Sequence, residues 1–138
     1  MIAHSEWKQG DVFAGIAENG NTVQFDADAK HAHGPSPMEA VLMALCACTS
    51  VDVVSILKKK RQGLTSLRVT ASAQRAETPP QVFTEIKLTY AVRGKLSRKA
   101  VEDAVALSKN KYCSVSKMLE KAAVIESEIV YPDGEPEP

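Results

Sequence analysis

SPMEAVLMALCACTSVDVVSILKKKRQG, from Ser36 to Gly63, decides how the rest of the chain has to fold. Ser36 is a good N-cap, Pro37 suits the first helical position, and Glu39 stands three residues past the cap, so the segment opens as a capping box. From Ala40 to Leu57 the run is apolar on nearly every side. Such a run is either a membrane span or the buried central helix of a soluble protein. It falls at the short limit of the roughly 20 residues that cross a bilayer, and it carries Asp52 among several Cys, Thr and Ser. Both features favour the buried helix. Lys58, Lys59, Lys60 and Arg61 follow, where cations complement the helix macrodipole, and Gly63 is placed to end it.

On the N-terminal side, loose alternation broken by Gly10 and Asn19-Gly20-Asn21 predicts strands near 2–8, 10–18 and 22–26, the Asn-Gly pair marking a hairpin. Residues 27–35 read as a loop holding Lys30, His31 and His33. On the C-terminal side, Leu67, Val69, Ala71 and Ala73 alternate with polar residues, as do Val82 to Val92, and Thr78-Pro79-Pro80 forces a turn between them. These are two strands of a long antiparallel hairpin. Ser97 caps a second helix with Leu96 and Val101 placed for a hydrophobic staple. A break near Asn110 precedes a short third helix from about Ser114 to Lys121, and Val124 to Tyr131 is a last strand. Residues 132–138 read as a disordered acidic, Pro-rich tail. The order of elements predicts an α+β fold, a largely antiparallel sheet with a long buried central helix.

The 138 residues suffice for one domain, and 44% hydrophobic with 25% charged residues is the balance of a soluble globular protein. Seventeen basic and 17 acidic residues cancel, so no basic excess exists to hold a phosphate backbone, and nucleic acid is not an expected partner. The first residues lack the basic-then-apolar order of an export signal, which predicts a cytoplasmic protein with no membrane association. Its three cysteines, Cys46, Cys48 and Cys113, are an odd set in a reducing compartment and argue against a structural disulfide framework.

At about 100° per residue, Val41, Leu45, Cys48, Asp52 and Ser55 share one face of the helix, while Cys46 points about 200° from Cys48. Asp52 therefore stands one turn from the Cys48 thiol. An Asp inside an apolar helix needs a cleft or a partner. Either it lines a reaction cleft with the thiol, or it meets a basic residue across a subunit contact. Cys113 falls at the cap of the third helix, where free N–H groups and nearby Lys111 favour a thiolate; the alternative is a buried structural thiol, the reading that also suits Cys46. His31 and His33 on an extended segment, with a cysteine, are a possible metal set, although two loop histidines are more often only polar. No Gly-rich phosphate loop and no G-x-S-x-G elbow is present.

Gly34-Pro35-Ser36-Pro37-Met38-Glu39-Ala40-Val41-Leu42 with Ala47-Cys48-Thr49-Ser50-Val51-Asp52-Val53-Val54 resembles the central helix of the OsmC/Ohr family (osmotically induced / organic hydroperoxide resistance), and Lys111-Tyr112-Cys113-Ser114-Val115-Ser116 resembles its second cysteine motif. The likeness spans about residues 2–131 and is greatest to the short YhfA-type branch. It implies a single OsmC-like domain over 1–131 in a swapped homodimer with two sites at the subunit interface. It further implies thiol peroxidase chemistry on an organic hydroperoxide, with Cys48 as attacker, Cys113 as resolver and an external dithiol as reductant. No metal, haem, flavin or other cofactor is required. Two departures stand out. The family's peroxidases use an N-terminal Arg to activate the thiolate, and here the first arginine is Arg61; they also place Glu directly after the motif Pro, where this chain has Met38. Glu39, one position later, is explained by the capping box. Lys30, His31 and His33 are the available substitutes for the guanidinium. Three functions are therefore open: an organic hydroperoxide peroxidase; a weakly active or non-catalytic redox-sensing or small-molecule-binding protein; and a structural dimer with inert cysteines.

Overall fold

The structure is a computed structural model describing residues 1–138. The chain forms two compact units, Met1–Leu42 and Met43–Pro138.

The first unit is an antiparallel meander of β1 (Ala3–Gln9), β2 (Val12–Ala17) and β3 (Thr22–Asp26), as the alternation predicts. Gly20 takes φ 90° in the β2–β3 turn, the left-handed conformation that makes Asn-Gly a hairpin signal, and Ala17 and Asn21 close the turn at 2.8 Å. Every residue of β1 is exposed, Trp7 among them. The loop after β3 is tied by buried Asp26, whose carboxylate accepts the N–H groups of Asp28 (2.9 Å) and His33 (3.1 Å). Those backbone N–H groups, above all that of Asp28, lower its pKa. A Cβ at Gly34 would lie 2.4 Å from the Gln24 carbonyl oxygen, so the chain can pass here only with glycine.

Helix α1 (Pro37–Lys59) begins in the first unit and continues into the second. Its C-terminus differs from expectation. Arg61, not Gly63, takes the left-handed conformation (φ 56°), with Gln62 N–H donating to Leu57 O and Arg61 N–H to Lys58 O, both at 2.9 Å. That is a Schellman motif, and Gly63 already opens the next strand. The second unit then runs β4 (Gly63–Arg75), β5 (Phe83–Lys95), α2 (Arg98–Leu107), a π-helical turn (Ser108–Tyr112), α3 (Ser114–Leu119) and β6 (Val124–Val130). Ser97 Oγ accepts Ala100 N–H at 3.1 Å, so the second capping site is also occupied. β4 and β5 form the long antiparallel hairpin, but β6 pairs parallel to β5, from Glu85↔Val124 to Ala91↔Val130. A parallel partner needs a long crossover, and α2 to α3 supply it.

The core of this unit combines Ile86, Leu88, Tyr90 and Val92 of β5, Val101, Ala104 and Val105 of α2, and Ile125 of β6. From α1 only one stripe is buried: Leu45, Thr49, Val53 and Leu57, at four-residue spacing. The all-round burial expected of this helix is therefore not achieved within one chain, which covers only one of its faces. Met43 and Val51 remain 56% and 68% exposed. By length and composition alone the helix could cross a membrane, with 22% of its most apolar window buried. The acidic tail makes defined contacts where disorder was expected. Asp133 pairs with Arg93, Glu135 with the Arg98 guanidinium, and Arg98 N–H donates to Glu137 O at 2.8 Å.

Candidate thiol site

Cys48 and Cys113, remote in sequence, meet in the second unit. Burial is the main influence raising the pKa of Cys113, and the neighbouring Cys48 thiol adds to it. The two thiols differ in access. Cys48 is partly exposed on α1, whereas Cys113 has no exposed surface.

Cys113 is the N-cap of α3, as its position suggests. Its Sγ accepts Ser116 N–H at 3.4 Å, and its carbonyl oxygen accepts Ser116 Oγ–H at 3.0 Å. The expected consequence does not follow. Burial is the largest influence and pushes the thiol up, against the lowering effect of the Ser116 N–H, so the net shift is upward. Lys111 does not help, since its ammonium stands 5.3 Å over the Tyr112 ring. Cys46 is half-buried with its sulfur toward the Ala71 backbone, and burial raises its pKa as well.

Asp52 has found a partner other than a cation. It accepts the Ser108 hydroxyl at 2.8 Å; Ser108 Oγ lies 2.8 Å from Thr49 Oγ1, and Thr49 Oγ1 lies 2.7 Å from Tyr90 Oη. Tyr90, Thr49 and Ser108 are all buried. Burial pushes the Tyr90 phenol up, and its hydroxyl is near enough to both Cys113 and Cys46 for their charge to add to that shift. Asp52 also lines a cleft of about 370 Å³ with Ile56, Lys59, Lys60, Leu107 and Tyr112. Neither cysteine lines that cleft. In the sequence Ser108 reads only as part of one face of the second helix and Tyr90 only as part of an alternating strand, and neither carries a motif that points to Asp52.

The remaining residues belong to the first unit. Glu39 and Ser36 form the reciprocal box, with Ser36 N–H donating to Glu39 Oε1 (3.0 Å) and Glu39 N–H to Ser36 Oγ (3.1 Å); the first of these holds the Glu39 carboxyl below its ordinary pKa. His31 adopts φ 46°, with Nδ1 2.8 Å from the Asp26 carbonyl oxygen and Nε2 3.8 Å from Glu39 Oε1. Lys30 is exposed and donates its N–H to Asp28 at 3.0 Å. His33 is exposed beside Asp26.

Residues 28–128 match the family model for OsmC-like proteins. Protein YhfA of Escherichia coli K12 is 44% identical over 126 residues, covering 91% of this chain and 93% of YhfA. The crystal structure of an OsmC-like protein from Mycoplasma pneumoniae superposes with a TM-score of 0.83 over 94% of this chain and 95% of its own, at 18% identity. The organic hydroperoxide resistance protein of Bacillus subtilis gives 0.67 over 94% and 98%, at 15% identity. At these two identities the likeness is one of fold.

Proposed function

The chain belongs to the OsmC-like family, and from that premise we propose that it is a thiol-dependent peroxidase that reduces organic hydroperoxides through Cys48 and Cys113. The observation that carries this reading is the apposition of a partly exposed thiol and a buried one from distant parts of the chain. A hydroperoxide can reach Cys48. The Cys48 thiolate attacks the terminal peroxide oxygen, the O–O bond breaks, and the alkoxide leaves as an alcohol after taking a proton. Cys48 is then a sulfenic acid. The Cys113 thiolate attacks that sulfur, the S–S bond forms, and hydroxide leaves with a proton as water. An external dithiol restores both thiols by exchange. Two copies, with their α1 helices covering one another, complete the functional unit.

A second reading is a redox-sensing or small-molecule-binding protein of weak turnover. The absence of any arginine before Arg61 favours it, because a thiol without a guanidinium partner is a weaker thiolate source. Stopped-flow mixing of the reduced protein with cumene or tert-butyl hydroperoxide, beside hydrogen peroxide, separates the two. The peroxidase reading expects fast consumption of the organic peroxides. Cys46→Ser should retain it and Cys48→Ser abolish it, while Cys113→Ser should react once and then accumulate Cys48 carrying one to three added oxygens. If the parent protein ignores all three peroxides at neutral pH, the second reading replaces the first.

A further inference from the structure

Ser108 opens the π-helical turn that delivers Cys113, and it is fully buried. Two sets of bonds converge on it. Its carbonyl oxygen accepts Cys113 N–H at 2.8 Å, the bond that closes the turn. Its hydroxyl contacts Thr49 and Asp52 on α1, which lie one and four residues beyond Cys48. The direction of the hydroxyl chain follows from donor accounting. Each hydroxyl has one proton, and Ser108 gives its own to Asp52. Thr49 must then donate to Ser108, and Tyr90 to Thr49. The chain runs Tyr90 to Thr49 to Ser108 to Asp52, joining β5, α1 and the π-helical turn, and each bond in such a series polarises the next. A π-helical turn is rare and intrinsically weak, so an anchor of this kind is what keeps it in one geometry.

We infer that Ser108 is a positioning residue for closure of the Cys48–Cys113 disulfide, its hydroxyl locking the π-helical turn to α1 in the register that brings the two sulfurs together. The inference rests on the reading of these cysteines as a working pair and adds the device that aligns them. It touches only the second half of the cycle, because Cys48 sits on α1 and attacks its first electrophile without the turn.

The test uses the full-length protein carrying Cys46→Ser, reduced and mixed with the aromatic disulfide dithiobis-nitrobenzoate. Cys48 thiolate attacks the reagent and releases one nitrothiobenzoate, leaving a mixed disulfide. Cys113 thiolate then attacks the Cys48 sulfur and expels a second nitrothiobenzoate, so the two steps appear as two phases of absorbance. With Ser108→Ala we expect the first phase within about twofold of the parent and the second slowed by about tenfold or more, the scale of a misplacement near 1 Å. Asp52→Ala should slow the second phase too. Asp52→Asn, which still offers Ser108 an oxygen, should keep it near the parental rate. Any effect of the altered charge on encounter with the anionic reagent falls on the first phase alone. A second phase unchanged in Ser108→Ala, or both phases slowed equally, overturns the inference. If Ser108→Ala does not fold, equal closure rates in Asp52→Ala and Asp52→Asn overturn it instead. No peroxide is involved, so failure of the peroxidase reading leaves a measurable two-phase result, and failure here leaves peroxide consumption by Cys48 intact.

Discussion

At Cys113 two influences oppose each other. Capping of α3 supplies an N–H to the sulfur, which lowers its pKa, and burial raises it by more. A raised pKa suits a resolving thiol, which stays protonated and inert until its partner is oxidised. It also sets a pH dependence. The thiol must lose its proton before it attacks, so the rate of disulfide closure should climb with pH and still be rising about one unit above 8.5, the ordinary cysteine pKa, where an unperturbed thiol would be levelling off. Single-turnover closure measured from neutral to alkaline pH checks this; a plateau near neutrality would mean that Cys113 is a low-pKa thiol after all. The chain's likeness to its family is what singles out Cys48 and Cys113 as the proposed pair. The sign of the pKa shift was not legible, because it depends on how much protein covers the sulfur, and no local pattern encodes that. Asp52 was marked by its cost inside an apolar helix, but its partner Ser108 lies far along the chain and could be found only in three dimensions.

Elements whose ends are set by neighbouring residues were the most readable. Ser36, Pro37 and Glu39 placed the start of α1, and Ser97 the start of α2, because capping bonds span three residues. Ser36→Ala should therefore cost about 1 kcal/mol of stability in urea unfolding. Glu39→Gln should preserve the box and the thiol kinetics together. A folded Glu39→Gln protein with greatly reduced peroxide reactivity would assign that carboxylate to the chemistry rather than to the cap. The end of α1 was misread. Arg61 adopts the left-handed conformation normally given to glycine, and Arg61→Gly should be neutral to stabilising by up to about 1 kcal/mol, since a side chain in that region is strained. Thermal unfolding of the two proteins side by side tests the sign. The π-helical turn appeared in the sequence only as a break near Asn110. The parallel pairing of β6 did not appear at all, since alternation reports that a strand has a buried face and says nothing of its direction.

For the whole molecule the question is what covers α1. Its outer face keeps Met43 and Val51 open to solvent, and all of β1 with Trp7 is exposed as well. A second copy of the chain is the occupant expected for this face. The protein should sediment as a dimer at micromolar concentration, and Val51→Lys, which sets a charge in that contact, should shift it toward monomer; a monomeric parent would remove both the dimer and any site shared across it. Taken alone, the sequence determined the strands, the helices and their N-terminal caps, and the family to which the chain belongs. These follow from periodicity, from bonds between near neighbours and from motifs, all of which are local. Tertiary structure alone decided that Cys113 is buried and raised, that Asp52 is satisfied by Ser108, that β6 runs parallel to β5, and that one chain hides only the stripe Leu45, Thr49, Val53 and Leu57. Each of those outcomes depends on contacts between residues distant in sequence, where burial and hydrogen-bond partners are set by packing rather than by local order.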